Sequence, residues 1–165
     1  MIVYLVGMPG SGKSTVGREL AGRLGVPFVD LDERIEWEAG STVPEIFRDE
    51  GEASFRALEA GALVKASTED PAVIACGGGV VLEPANRITL RNTGVAVFLD
   101  VPLDELRRRV EPASDRPLIR KEGDLEELFE SRGPLYRELA AHVVDASGDP
   151  GEVADAIVEE LRWSV

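Results

Sequence analysis

Apolar residues along this chain form five short runs whose lengths are typical of buried β-strands. The runs at residues 2–6 and 95–99 are apolar throughout, as expected for strands that are covered on both faces. The other three runs are shorter and are bounded by polar residues, glycine or proline. They cover residues 26–29, 72–75 and 143–144.

The segments between these runs have the spacing or the end signals of helices. Val16, Leu20 and Leu24 recur at helical intervals, and Gly25 follows them as a typical C-terminal cap. Thr42 and Glu45 have the spacing of a capping box. A short helix that contains Ile35 and Trp37 is predicted after Glu33 and is closed by Gly40. Further helices are predicted at about 52–67, 84–91, 102–109, 125–139 and 150–163, and the one at 125–139 is expected to break at Gly133-Pro134.

Strands that alternate with helices predict an α/β fold, with a five-stranded parallel sheet flanked by helices. The 165 residues, 44% of them hydrophobic, fit one domain spanning residues 1–165, and no internal repeat or linker divides them. In such a sheet, ligands bind at the carboxyl ends of the strands. Gly7, Asp30, Gly77 and Asp100 follow strand ends and are therefore placed near a predicted site.

The charge balance and the cysteine content narrow the classes of partner. The chain has 18 basic and 31 acidic residues, and this net charge of −13 opposes binding to nucleic acid or to an anionic membrane surface. Cys76 is the single cysteine, so no disulfide can form within the chain. No apolar run approaches the roughly 20 residues of a membrane span, and the first apolar run is needed as a strand. We therefore expect a cytoplasmic protein without a signal peptide.

Residues 7–14 read Gly-Met-Pro-Gly-Ser-Gly-Lys-Ser, which is a complete phosphate-binding loop between a strand and a helix. Its glycines allow the backbone N–H groups to point at phosphate oxygens, and the following helix adds its positive dipole end. Lys13 is placed to reach the β- and γ-phosphates, and the Ser14 hydroxyl to bind a bridging Mg²⁺. The predicted nucleotide contacts are Gly10, Ser11, Gly12, Lys13, Ser14 and Thr15.

Two carboxylates follow the second strand, close to the phosphate-binding loop. One of Asp30 and Asp32 can face Mg²⁺, and the other can accept a proton or a hydrogen bond from a substrate hydroxyl. Asp30 with Glu33 also fits a helix capping box, which is a purely structural alternative. Asp100 ends an apolar strand, the usual second signature of a phosphate-loop enzyme, and competes for the metal or else caps the next helix.

Three arginines are candidates for binding an anion. Arg56 lies four residues after Glu52, so an exposed ion pair is an alternative to a binding role. Arg116 lies beside Pro117 in residues 111–123, which have no helical or strand period and are expected to form a mobile loop. Arg132 could present its planar guanidinium to a carboxylate.

A small anionic second substrate would account for these arginines. The run Gly77-Gly78-Gly79 would allow such a substrate to lie against bare backbone.

In order and spacing, these motifs resemble shikimate kinase over nearly the whole chain. The phosphate-binding loop alone is shared with many unrelated enzymes, but the combination of motifs is far more specific. The combination consists of the loop at 7–15, Asp-Leu-Asp at 30–32, Phe-Arg at 55–56, the glycines at 77–79, Arg-Pro-Leu at 116–118 and Arg-Gly-Pro-Leu-Tyr at 132–136.

The resemblance implies a fold of the nucleoside-monophosphate-kinase type and transfer of the ATP γ-phosphoryl group to the 3-hydroxyl of shikimate. It also implies Mg²⁺ as cofactor and a monomer that acts in aromatic amino-acid biosynthesis. Residues 31–60 would form the substrate-binding helical region, and residues 111–123 the lid. The nearest rival is another small-metabolite kinase such as gluconate kinase. A rival of another class is a nucleotide-binding regulatory module without turnover.

The family roles carry over residue by residue. On the acceptor side, Asp32 would contact the shikimate hydroxyls and serve as the base, while Arg56 and Arg132 would bind the shikimate carboxylate. The backbone of Gly77, Gly78 and Gly79 would line the shikimate ring. On the nucleotide side, Lys13 and Ser14 would bind ATP and Mg²⁺, Asp30 would belong to the magnesium shell, Arg116 would be the lid arginine and Arg109 would contact the adenine. Asp100 would have a structural role. The loop at 147–150 departs from the family at Asp149, where some members have a basic residue.

Overall fold

The structure is a computed structural model that describes residues 1–110 and 116–163. Its five strands are all parallel and form one sheet in the order β2-β3-β1-β4-β5. They are β1 (Ile2–Val6), β2 (Phe28–Asp30), β3 (Ala72–Ala75), β4 (Gly94–Asp100) and β5 (His142–Asp145).

Eight α-helices flank this sheet within the described ranges, which confirms the predicted fold class. They are α1 (Lys13–Leu24), α2 (Leu31–Ala39), α3 (Val43–Glu50), α4 (Glu52–Ala66), α5 (Pro84–Thr93), α6 (Leu103–Arg109), α7 (Asp124–Leu139) and α8 (Pro150–Arg162), with a 3₁₀ turn at Val80–Leu82.

The core lies on the central strands of the sheet. Every residue of β1 and β3 is buried, as expected for parallel strands with helices packed over them. The Tyr4 ring in β1 is fully buried, and its hydroxyl lies 2.6 Å from the Thr93 hydroxyl at the end of α5. Because β1 and β3 end at the predicted ligand site, the floor of that site is part of the core.

The helix α7 differs from the prediction at Gly133-Pro134. We expected an interruption there, but α7 runs without a break from Asp124 to Leu139 with Pro134 inside it. Pro134 and the residue four positions before it, Glu130, are exposed, so water can bind the carbonyl that lost its helical partner. Buried side chains hold the helix on its other face; they are Leu125, Arg132, Tyr136 and Leu139.

The predicted substrate-binding region at 31–60 corresponds to α2, α3 and the first half of α4. The capping box of Thr42 and Glu45 is present at the start of α3. Of the predicted lid at 111–123, residues 111–115 lie outside the described residues. In the remainder, Ile119 is buried, and the Arg120 and Lys121 amides donate to the Asp124 carboxylate at 2.8 and 2.9 Å.

In the described part of the chain, we find no helix with the length and apolar character needed to cross a bilayer.

Candidate active site

A cavity of about 510 Å³ lies at the carboxyl ends of β1, β2 and β3. Its walls come from the phosphate-binding loop, the start of α2, the helices α3 and α4, the glycines after β3, and residues 116–119. The structure brings all the predicted site residues to this cavity except Ser11, which is buried inside the loop. Asp100 lies elsewhere and pairs with Arg137 at 2.6 Å.

The phosphate-binding loop has the backbone that its glycines predict. Gly10 and Gly12 have φ values of 83° and 89°, in the left-handed region that side chains disfavour, and Gly12 caps the start of α1. The Lys13 ammonium donates to the carbonyl oxygens of Gly7 and Met8 at 2.8 and 2.9 Å. Burial lowers the pKa of Lys13 to about 8, and the nearby Asp32 carboxylate opposes this shift.

Asp30 uses its two carboxylate oxygens for different purposes. Oδ1 accepts from the amides of Asp32 and Glu33 at 3.0 and 3.2 Å and so caps α2. Oδ2 accepts a hydrogen bond from the Ser14 hydroxyl. The capping interpretation and the metal-site interpretation of Asp30 are therefore compatible, because each needs a different oxygen.

The part of the cavity wall that α4 and α7 form contains the predicted Arg56 and Arg132, and also Glu59, a carboxylate that the sequence analysis did not single out. Glu59 is fully buried, and its Oε1 accepts from Arg56 Nη1 at 3.0 Å. The alternative partner of Arg56, Glu52, is also present at 3.3 Å, but its side chain is half-exposed. Burial raises the pKa of Glu59, and Arg56 opposes the shift.

A signal for Glu59 was present in the sequence. On α4, Glu59 lies four residues after Phe55 and four before Leu63, both of which are buried. A carboxylate at an apolar position of a helix needs a partner inside the protein, and Arg56 is three residues away. The helical period could therefore have identified it.

Three buried polar atoms of residues that line the cavity have no hydrogen-bond partner among the described residues. They are Asp32 Oδ1, Glu59 Oε2 and Arg56 Nε. Burial raises the pKa of Asp32, and the neighbouring Asp30 carboxylate raises it further. Buried polar groups without a partner are rare in native proteins, so these atoms mark a place where a polar ligand or water binds.

The glycines after β3 leave room for the side chains of the site itself. A Cβ on Gly79 would lie 2.2 Å from Arg56 Nη1, and one on Gly77 would lie 2.7 Å from Glu59 Oε2. A Cβ on Gly78 would lie 3.3 Å from Arg132 Nη1. The bare backbone therefore allows the arginines and carboxylates to converge on this segment even before a substrate is considered.

Arg132 is buried on α7 and faces the cavity next to Gly78, and Phe47 and Phe55 form an apolar wall with their rings 4.8 Å apart. Such a wall suits one face of a small carbon ring, while the arginines suit an anionic group on it.

Arg116 lines the same cavity and lowers the pKa of Lys13, which places the two cations near each other.

The arginine predicted for the adenine side holds two loops together. Arg109 donates to the carbonyl oxygens of Gly10, Ala146 and Ser147 at 3.4, 3.2 and 3.0 Å. In the same loop, Asp149 accepts from the amides of Gly151 and Glu152 and caps α8. The acidic residue at this position is thus engaged with its own helix.

Cys76 is buried at the wall of the cavity, whereas His142 lies away from it. Cys76 is buried directly after β3, and burial raises the pKa of its thiol. His142 Nδ1 lies 3.2 Å from Glu160 on α8, away from the cavity.

Comparisons with known proteins point to one family. The family model for shikimate kinase matches residues 9–162. The shikimate kinase of Aromatoleum aromaticum is 47% identical, with 98% of this chain and 95% of the relative covered. That of Halorhodospira halophila is 45% identical, with coverages of 97% and 93%.

Solved structures agree with these relatives. The shikimate kinase from Acinetobacter baumannii, solved in complex with shikimate, has a TM-score of 0.95 and 36% identity, and 99% of this chain and 93% of that chain are covered. The deoxyadenosine kinase from M. mycoides with bound dCTP has a TM-score of 0.65 at 17% identity over the full length of both chains, a likeness of fold alone.

Proposed function

This chain belongs to the shikimate kinase family, and we propose that its cavity divides into a nucleotide side and an acceptor side. The enzyme is a kinase that phosphorylates shikimate with ATP in the shikimate pathway. This identity replaces both rivals considered above, gluconate kinase and a module without turnover. The observation that supports the proposed division is the convergence of the phosphate-binding loop, Asp32 and two arginines on one cavity.

On the acceptor side, we assign the shikimate carboxylate to Arg56 and Arg132. Both guanidinium groups are largely buried and face the cavity, where a carboxylate would complete their charge and hydrogen bonding. Asp32, with one oxygen that lacks a partner among the described residues, would accept from the reacting 3-hydroxyl and take its proton. The backbone of Gly77, Gly78 and Gly79 would line the ring.

On the nucleotide side, the loop amides around Gly10, Ser11 and Gly12 would bind the phosphates of ATP. Lys13 would exchange its bonds to the loop carbonyls for the β- and γ-phosphates, and Thr15 would contribute its hydroxyl. Arg116 would reach the transferring group, and Arg109 would flank the adenine. The charge that develops on the transferring phosphate would thus be neutralised by Lys13 and Arg116, which both line the cavity.

The residues around Ser14 fit a Mg²⁺ ion. Within residues 1–110 and 116–163, no group of three or more His, Cys, Asp or Glu side chains could hold a metal by itself. Mg²⁺ does not need one, because it is usually bound by one or two carboxylates together with substrate phosphates and water. The Ser14 hydroxyl and Asp30 Oδ2, which now bond each other, are the two oxygens that would hold it. When bound, the ion would neutralise charge on the β- and γ-phosphates.

Most of the rate enhancement should come from positioning and electrostatics. The arginines would fix the acceptor so that its hydroxyl points at the γ-phosphate held by Lys13, while the lid at 111–123 would limit access of water. We further propose a single domain that acts as a monomer in the cytoplasm, because the proposed site needs no residue from a second copy and its co-substrate is ATP.

The decisive test is ADP release by the purified protein with ATP and Mg²⁺, in the presence of shikimate, gluconate or no acceptor. We expect turnover with shikimate alone. ATP hydrolysis that does not depend on an acceptor, or turnover with gluconate instead, would contradict the assignment of the acceptor side.

Glu59→Gln tests how Arg56 is held. The substitution keeps the shape of the side chain but removes the charge that faces Arg56, so we expect the KM for shikimate to rise by about 5- to 20-fold. The KM for ATP should not change. Glu52→Gln is the matched control, because it removes the charge of the half-exposed carboxylate that pairs with the same arginine. It should change the KM for shikimate less than about twofold.

Equal effects of the two substitutions would contradict a special role for the buried carboxylate.

A further inference from the structure

The two tyrosines of this chain are both fully buried with their hydroxyls hydrogen-bonded, but in different places. The Tyr4 hydroxyl bonds Thr93, which directly precedes β4 and so lies at the edge of the sheet opposite the cavity. Tyr136 lies on α7, where its ring stacks on Phe98 with centroids 5.2 Å apart, and its hydroxyl donates to the carbonyl oxygen of Gly78.

The hydrogen bond from the Tyr136 hydroxyl is accepted by Gly78, the middle glycine of the segment that lines the proposed acceptor side. The carbonyl oxygens of Gly77 and Gly79 accept from the backbone amides of Val80 and Leu82, whereas that of Gly78 accepts from a side chain on another element. The position of Gly78 relative to α7 is thus set by the Tyr136 hydroxyl.

Arg132 lies one helical turn before Tyr136, so the two side chains project from the same face of α7. Burial raises the pKa of the Tyr136 hydroxyl to about 12, and the positive charge of Arg132 opposes this shift. Arg132 Nη1 would also lie 3.3 Å from a Cβ on Gly78. The Tyr136 hydroxyl therefore bonds the backbone segment against which the arginine that we assign to shikimate lies.

We propose that Tyr136 is a positioning residue for the acceptor, which fixes the distance between the Gly78 backbone and the Arg132 guanidinium. This inference rests on the proposed acceptor side. The unbroken course of α7 through Pro134 is a condition for it, because a break would separate Arg132 from Tyr136. The hydroxyl acts through these two groups and does not take part in the phosphoryl transfer.

Tyr136→Phe tests the proposal, because it removes the hydroxyl and retains the ring that stacks on Phe98. We expect the KM for shikimate to rise about tenfold, while the KM for ATP stays within about twofold and kcat falls less than the KM rises. Tyr4→Phe is the control, because it removes an equally buried hydroxyl away from the cavity. It should lower the melting temperature and leave both KM values unchanged.

A double-mutant cycle with Arg132→Lys gives a second measurement. If the hydroxyl acts through Arg132, Tyr136→Phe should cost clearly less in the Arg132→Lys background than in the wild type. An unchanged KM for shikimate in Tyr136→Phe, an equal rise in Tyr4→Phe, or fully additive effects in the cycle would each overturn the proposal. These outcomes presuppose a wild type that turns over shikimate, and failure of that activity would instead overturn the proposed function.

Discussion

Replacing Lys13 with methionine should lower kcat by on the order of a thousandfold or more. In the proposed function, the Lys13 ammonium is the cation that neutralises charge on the transferring phosphate, and methionine has nearly the same length without charge. The loss should appear mainly in kcat, because the loop amides and Arg116 remain to bind ATP. Steady-state ADP release with saturating shikimate would measure it.

The fold should survive this substitution. Burial lowers the pKa of Lys13 to about 8, so its charged form is held in the folded protein at some cost, and an apolar side chain removes that cost. Lys65→Met is the control, since Lys65 is an exposed partner of Glu38 on the surface and should not affect kcat. A Lys13→Met enzyme that retained more than about a tenth of the wild-type kcat would contradict the assigned role.

Replacing Arg132 with alanine should raise the KM for shikimate by about 10- to 150-fold, equivalent to roughly 1.5–3 kcal/mol of lost charged hydrogen bonding. The KM for ATP should stay close to that of the wild type. The KM of Arg132→Lys for shikimate should lie between those of the wild type and of Arg132→Ala, because lysine retains the charge and loses the planar pair of donors. Initial rates at varied shikimate and fixed, saturating ATP would separate the three enzymes.

Arg91→Ala provides the matched control for Arg132. Arg91 also contacts α7, through the Glu138 carbonyl oxygen at 3.1 Å, but its side chain is exposed and lies away from the cavity. We expect wild-type kinetics from it. If Arg132→Ala bound shikimate as tightly as the wild type, the carboxylate of the acceptor would have to be assigned elsewhere.

Local patterns were enough to predict the sheet and the backbone of the phosphate-binding loop. The phosphate-binding loop is contiguous in sequence, so its glycines, Lys13 and Ser14 could be placed before any tertiary contact was known. The apolar runs predicted all five strands. The strands β4 and β5 extend one residue beyond the prediction at each end, where their pairing continues, whereas β2 begins two residues later than predicted.

What the patterns could not supply were relations between distant elements. The predicted break in the last long helix before β5 was wrong because the effect of Pro134 depends on whether the freed Glu130 carbonyl is exposed, which only the packing of α7 decides. Whether Arg56 forms an exposed ion pair with Glu52 or faces a binding site remained open for the same reason. Spacing along the helix does not show that the Arg56 side chain is largely buried.

The use of the two Asp30 oxygens for a helix cap and for a metal site has a thermodynamic consequence for how each substrate affects the binding of the other. The carboxylate that would serve the metal also caps α2, whose first turn includes Asp32, so a ligand on the nucleotide side acts on the start of the acceptor side. We therefore expect ATP with Mg²⁺ and shikimate to change each other's affinity, and by the same factor, because linkage between two binding equilibria is reciprocal. Titration of each ligand in the absence and presence of the other would reveal this heterotropic coupling, and identical affinities in both conditions would show that the two halves of the cavity work independently.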